Sequence, residues 1–102
     1  MSVFLTAIIK SKTGQSAAMK ALLLELVAGS KSETACLQYD LHQSTESPEV
    51  FIFHEEWASQ EGLDLHNHQP HIQKFVQNSA DIIDGKTVIY KTERVGSPDE
   101  VT

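Results

Sequence analysis

The chain has 102 residues, which fits one domain, and 40% of them are hydrophobic, which is enough for a single core. Eight basic residues are scattered among 14 acidic ones, and the formal net charge is −6. This balance argues against a phosphate-binding surface and therefore against a nucleic-acid partner. No segment approaches the ~18–20 apolar residues of a membrane span. The single cysteine, Cys36, cannot form an internal disulfide. We therefore expect a cytoplasmic protein without a membrane partner.

The first half of the chain predicts a strand, a helix and a β-hairpin. Residues 2–10 are apolar and β-branched on both faces, which is typical of a strand covered on both sides. Residues 16–31 carry one apolar stripe at helical spacing. Residues 35–44 alternate, with Leu37, Tyr39 and Leu41 on one face. A turn at 45–48 leads into a strand over 50–57, close enough for antiparallel pairing.

The second half predicts two more helices and a last strand. Ser59 is a suitable N-cap for a short helix over about 60–66. Pro70 suits the first position of another helix, which we expect to end at Gly85. Residues 86–94 predict a strand, and we expect a domain over 1–95 with a disordered tail over 96–102. The β-α-β-β-α-β order predicts an α+β, ferredoxin-like fold with helices on one face of a four-stranded antiparallel sheet.

The face of the sheet without helices needs an explanation, because an exposed apolar face is a liability in a monomer. The first strand is apolar on both sides, so we expect a homodimer with sheet packed against sheet. A solvated face in a monomer stays open as an alternative, because strand 35–44 has one polar face.

Residues 49–75 contain the side chains best suited to chemistry. An apolar strand ends in Glu55-Glu56-Trp57, and His66, His68 and His71 follow. A large indole and several imidazoles near a strand end favour a pocket for an aromatic or conjugated molecule over a nucleotide site. Trp57 would stack on such a molecule, or would instead anchor the core between sheet and helices.

Two of these residues are candidates for catalysis. His66 could take a proton from a phenolic hydroxyl, because imidazole titrates near the working pH; alternatively it is a helix-end or surface histidine. Glu55 lies among apolar neighbours, so it needs a partner or a raised pKa. It would accept a substrate proton or make a structural hydrogen bond. Tyr39, Phe53 and His71 are candidate substrate contacts, although a tyrosine here is also typical of a core.

The three histidines also invite a metal interpretation, because zinc and non-haem iron both accept imidazole. The break at Asn67–Pro70 leaves the three rings without a defined shared face. Asp64, two residues from His66 on a helix, would point elsewhere. We therefore expect no metal at these histidines.

Most of the chain resembles the antibiotic biosynthesis monooxygenase family, in its quinol-monooxygenase-like branch. The resemblance is carried by CLQYDLHQS, the turn at Ser47-Pro48, FIFHEEW and LDLH…PHIQKF, and it extends over about residues 2–94. It implies a dimeric α/β barrel with a pocket in each subunit between sheet and helices. Several members of the family oxygenate phenols or quinols without flavin, haem or metal.

Haem-degrading members of the family are a less close match. Trp57 matches their tryptophan, and His66 or His71 could stand in for their haem-ligating histidine. Their strand-one asparagine is missing, and Thr6 is the nearest polar residue. This departure argues against haem degradation.

Together these observations predict a cofactor-independent monooxygenase that acts on a quinol, polyphenol or similar small aromatic with O₂. His66 would be the base, and Trp57 and Tyr39 would hold the ring. Other functions stay open: an isomerase or other enzyme acting on a small signalling metabolite, a haem-degrading relative, and a binding or stress-response module without catalysis.

Overall fold

A computed structural model describes residues 2–96 of the chain. The elements follow one another as β1 Val3–Lys10, α1 Ser16–Lys31, β2 Cys36–Gln43, β3 Val50–Trp57, α2 Gln60–His66, α3 Pro70–Ser79 and β4 Val88–Thr92. This order confirms the predicted α+β, ferredoxin-like fold. The predicted disordered tail lies, apart from Gly96, outside the described residues. Within residues 2–96, no helix has the length and apolar character needed to cross a membrane.

The four strands form one antiparallel sheet in the order β2-β3-β1-β4. β2 and β3 make the predicted hairpin, and β1 pairs with β3 from Val3↔Trp57 to Lys10↔Val50. The expectation that Leu37 shares a face with Tyr39 and Leu41 is wrong, because the register shifts between Cys36 and Gln38. The Leu37 side chain is 57% exposed as a result.

The core lies between one face of the sheet and the helices. α1 buries Met19, Leu23 and Leu26, which fall on one side of the helix at the predicted spacing. The strands contribute the alternate residues that face the helices, and α2 and α3 add Leu63 and Phe75. The buried hydrophobic residues of the strands are Leu5, Ala7, Ile9, Tyr39, Phe51, Phe53 and Trp57.

Local signals place the starts of the two short helices. α2 begins after Ser59, whose hydroxyl accepts a 3.0 Å hydrogen bond from the backbone N–H of Gly62. α3 begins at Pro70, whose missing N–H costs nothing in the first turn. Both starts agree with the sequence prediction.

The expected end of α3 at Gly85 is wrong, because the helix stops at Ser79. Backbone bonds to the end of β1 hold the next segment in another conformation: Lys12 N–H donates to the Ile82 carbonyl, and Asp84 N–H donates to the Lys10 carbonyl, both at 2.7 Å. Ile82 N–H and Ile83 N–H still donate to the Ser79 carbonyl, but the bonds to Lys10 and Lys12 hold the chain away from a further helical turn. Gly85 then adopts φ +77°, a conformation that favours glycine, before the chain enters β4.

The other face of the sheet carries no helix within residues 2–96. Phe4, Thr6 and Ile8 of β1 are half-buried there and lie beside Ile52 and His54 of β3. The edge strand β4 is exposed along its whole length. We call this surface the open face; it mixes apolar and polar side chains.

Candidate active site

A cavity of about 300 Å³ lies between the sheet and the helices. Four of the predicted site residues line it: Tyr39, Phe53, Glu55 and His66. The rest of its wall is mostly apolar and includes Leu5, Ala7, Ile9, Leu26, Leu63, Ile72 and Phe75. This volume is at the lower end of the range for small-molecule sites, so the cavity suits a ligand of one or two rings.

His66 is held in place by Glu33, a residue in the turn between α1 and β2. Oε2 of Glu33 lies 2.6 Å from Nδ1 of His66 and 2.8 Å from Nε2 of His71. An ionised carboxylate only accepts hydrogen bonds, so both imidazole nitrogens donate to it. Nε2 of neutral His66 is therefore the nitrogen left to accept a proton.

Burial keeps His66 in its neutral form. Loss of hydration lowers the pKa of His66, a residue that is only 4% exposed. The hydrogen bond to Glu33 and the negative charge of Glu33 raise the pKa of His66, whereas the neighbouring His71 lowers it further. Since the ordinary pKa is 6.5 and the net effect is downward, the ring at pH 7 can act as a base.

Glu55 places a second ionisable group on the cavity wall. Nε1 of Trp57 donates a 2.9 Å hydrogen bond to Oε1 of Glu55, which gives this buried carboxyl the partner it needs. Burial raises the pKa of Glu55 to about 7; the bond from Trp57 opposes the rise, and the charge of Glu33 adds to it. Near neutral pH, Glu55 can therefore either donate or accept a proton.

Trp57 stands behind the cavity wall. It is fully buried, and its ring centroid lies 4.3 Å from that of His66 and 6.1 Å from that of Tyr39. Tyr39 is on the wall itself, and burial raises the pKa of its phenol, which stays neutral. A ligand in the cavity would meet Tyr39 and His66 directly, whereas Trp57 supports them. Stacking of Trp57 on a substrate stays a prediction.

The three histidines have different surroundings. The rings of His66 and His71 lie 5.9 Å apart and share the carboxylate of Glu33. His68 is exposed and is bonded through Nδ1 to the backbone oxygen of Asp64 at 2.8 Å. The expectation that the three rings share no face is therefore wrong for His66 and His71. His71 lies outside the cavity wall, and its contact with a substrate stays a prediction.

Sequence reasoning did not single out Glu33. It lies 33 and 38 positions from the two histidines, so no local spacing connects them. One available signal was Gly29, two residues before the end of α1: a Cβ at this position would lie 2.7 Å from the ring of His71. A glycine near a helix end is also typical of a helix terminator, however, and so does not by itself reveal the contact.

The fold and the cavity define a class: a small ferredoxin-like domain with a largely apolar cavity between its sheet and its helices. Comparison with known families gives a more specific result. The family model of antibiotic biosynthesis monooxygenases matches residues 2–78. The chain therefore belongs to this family.

Individual relatives cover most of the chain at low identity. The Bacillus subtilis protein named "Putative monooxygenase YcnE" is 26% identical over 91 residues, which are 89% of this chain and 96% of that one. An uncharacterized protein of Synechocystis sp. is 29% identical over 75 residues, or 74% of this chain, but the chain spans only 51% of that relative's length. The crystal structure of PA3566 from Pseudomonas aeruginosa has a TM-score of 0.88 at 29% identity and covers 93% of this chain and 95% of that chain.

Proposed function

We propose that the protein is a cofactor-independent monooxygenase that acts on a one- or two-ring quinol or related phenol. The observation that carries the proposal is a neutral imidazole, His66, on the wall of an apolar cavity of about 300 Å³. Glu33 occupies Nδ1 of this ring, so Nε2 is available to remove a phenolic proton. Membership of the family supports this class of reaction.

The reaction begins with transfer of a phenolic proton to Nε2 of His66. The resulting phenolate gives one electron to O₂, and the superoxide and phenoxyl radicals combine to form a C–O bond at a ring carbon. His66 returns its proton to the peroxide, the ring carbon loses its hydrogen, and the O–O bond breaks as water leaves. One hydroquinone and one O₂ thus give one hydroxyquinone and one water. The substrate supplies all four electrons, so no external reductant is required.

Other wall residues would position the ring. Tyr39 and Phe53 have ring centroids 4.8 Å apart and form an aromatic surface on which a planar substrate can pack. Glu55, with its pKa of about 7, can bond to a second substrate oxygen or relay a proton. Trp57 fixes the carboxyl of Glu55 and supports His66 from behind. His71 shares Glu33 with His66 and so helps to fix that carboxylate.

Oxygen uptake by protein freed of metal and flavin tests this proposal directly. We expect one- and two-ring quinols to consume O₂, and His66→Ala to lower the rate by about 10²–10⁴-fold, the usual contribution of general base catalysis. His68→Ala is the matched control, because His68 is exposed and lies outside the cavity wall. No uptake above the blank with any quinol, or an unchanged rate for His66→Ala, would contradict the proposal.

The pair of Glu55 and His66 also supports a second candidate, an isomerase acting on a small keto compound. A carboxyl with a pKa of about 7 and a neutral imidazole on one wall can move a proton between two carbon atoms without O₂. Product analysis separates the two functions. Oxygenation brings one atom of ¹⁸O₂ into the product, whereas isomerisation leaves the mass unchanged and proceeds without air.

We further propose a homodimer that forms through the open face. Phe4, Ile8 and Ile52 give this surface an apolar centre, and Tyr90 of the edge strand is 56% exposed. A second copy packed sheet to sheet would remove these side chains from water.

A further inference from the structure

We propose that Glu33, His66 and His71 bind a divalent transition-metal ion such as Zn²⁺. One carboxylate oxygen and two imidazole nitrogens lie within 4.8 Å of one another. The side chains are only 9%, 5% and 21% exposed, respectively, so the surrounding helices and the α1–β2 turn hold them together. Imidazole and carboxylate are ligands that zinc commonly takes in proteins.

The charge of the cluster favours a cation. Within residues 2–96, the ion-pair partners of Glu33 are His66 and His71, and neither carries a permanent charge. A buried carboxylate without a cationic partner is costly. A divalent ion would supply the missing positive charge at the point where the three side chains meet.

The present geometry is close to that of a metal site. Ligand atoms at the usual zinc distances of about 2.0–2.2 Å lie about 3.3 Å from each other in a tetrahedron. The two oxygen–nitrogen distances are now 2.6 and 2.8 Å, because each pair shares a proton. Replacing the two protons by one ion requires the two oxygen–nitrogen distances to lengthen by about 0.5–0.7 Å. The two nitrogens, which lie within 4.8 Å of each other, must come to about 3.3 Å, so rotation of both the Glu33 side chain and the imidazole rings is needed.

The cluster also has a route to solvent. Glu33 lines a surface groove of about 500 Å³ together with Ala58, Leu65 and Gln69. This groove is separate from the cavity that His66 lines. We expect an ion to approach Glu33 from this groove without passing through the cavity, and a water molecule to complete the fourth position.

One consequence rests on the proposed function. A metal ion on Nδ1 of His66 requires the remaining ring proton to lie on Nε2, the nitrogen that would act as the base. Bound zinc should therefore stop quinol-dependent oxygen uptake, and a chelator should restore it. The site would make the enzyme sensitive to free transition-metal ions.

The metal site is tested without any substrate. Protein dialysed against a chelator is titrated with Zn²⁺ in competition with a chromogenic indicator, and with Co²⁺, whose visible absorption bands report tetrahedral ligation. We expect one ion per chain in the wild type and in the control His68→Ala. Glu33→Gln and His71→Gln should each weaken metal binding by at least about tenfold. Losing a residue that only supports a metal ligand already costs about this much affinity, and losing a ligand should cost no less. Circular dichroism and thermal melts verify that both variants fold.

Equal affinity in all four proteins, or no binding of either ion to the wild type, would overturn the metal site. The metal site and the proposed function fail in different ways. Specific zinc binding without oxygen uptake on any quinol would support the site and contradict the oxygenase. Uptake that continues with one zinc ion bound at this cluster would overturn the inhibitory consequence.

Discussion

The buried carboxyl of Glu55 should make the stability of the protein fall as the pH rises. Burial raises the pKa of Glu55 from its ordinary value of 4.5 to about 7. The unfolded chain therefore loses this proton at a lower pH than the folded chain does. The stabilising contribution of the protonated carboxyl is fully present below about pH 4.5, and it is lost as the pH rises through about 7.

The size of the effect follows from the same pKa values. Since one pKa unit corresponds to about 1.4 kcal/mol, the loss above pH 7 amounts to about 3 kcal/mol. Glu55→Gln removes the ionisation but keeps an oxygen that can accept the N–H of Trp57. Relative to the wild type, this variant should therefore gain up to about 3 kcal/mol of stability between about pH 4.5 and pH 8.

Urea unfolding, followed by the fluorescence of Trp57, the single tryptophan of the chain, measures this difference across the pH range. Other groups titrate in the same window, but they are common to both proteins and cancel in the comparison. Glu61→Gln, at an exposed position of α2, controls for the change in net charge. Parallel pH profiles for the wild type and Glu55→Gln would refute the reasoning.

Three further predictions concern the histidines and the open face. Gly29→Ala should push the ring of His71 away from its carboxylate partner, because the new Cβ would lie 2.7 Å from that ring; an unchanged imidazole NMR signal of His71 would contradict this contact. The lowered pKa of His66 means that quinol-dependent oxygen uptake should persist below pH 6.5, since protonation of the base sets the acid limit; a rate that is already halved at pH 6.5 would be evidence against His66 as the base. Ile52→Asp on the open face should produce monomers in analytical ultracentrifugation, whereas Leu24→Asp, at a 53% exposed position of α1, should leave dimers intact; equal behaviour of the two variants would contradict the proposed interface.

Much of the fold could be predicted because short-range patterns decide it. The alternation of Phe51, Phe53, Glu55 and Trp57 places all four on the core face of β3, as the structure confirms. The stripe from Met19 to Leu26 likewise fixes which side of α1 is buried. Once the buried faces of β3 and α1 are defined, only a few arrangements of the remaining elements can keep both faces away from water.

The parts that could not be predicted depend on contacts between distant residues. Two backbone bonds, to Lys10 at the end of β1 and to Lys12 just after it, keep α3 from continuing beyond Ser79. Residues 79–85 alone do not predict these bonds. The bulge that exposes Leu37 is set by pairing with β3. In the candidate site, Tyr39, Glu55 and His66 could be chosen by residue type and position. Glu33 could not, because its role comes from the turn that brings it to two histidines on other helices.

The central claim is that the cavity between the sheet and the helices binds an aromatic substrate. Calorimetric titration of the protein with a one-ring quinol, in the absence of air, tests this claim most directly. Ala7 lines the cavity, so Ala7→Leu should fill part of the space, whereas Ala18→Leu changes an exposed position of α1. We predict one quinol bound per chain in the wild type and in Ala18→Leu, and binding weakened by at least about tenfold in Ala7→Leu with its fold intact, which corresponds to about 1.4 kcal/mol. Equal affinity in all three proteins would contradict the account.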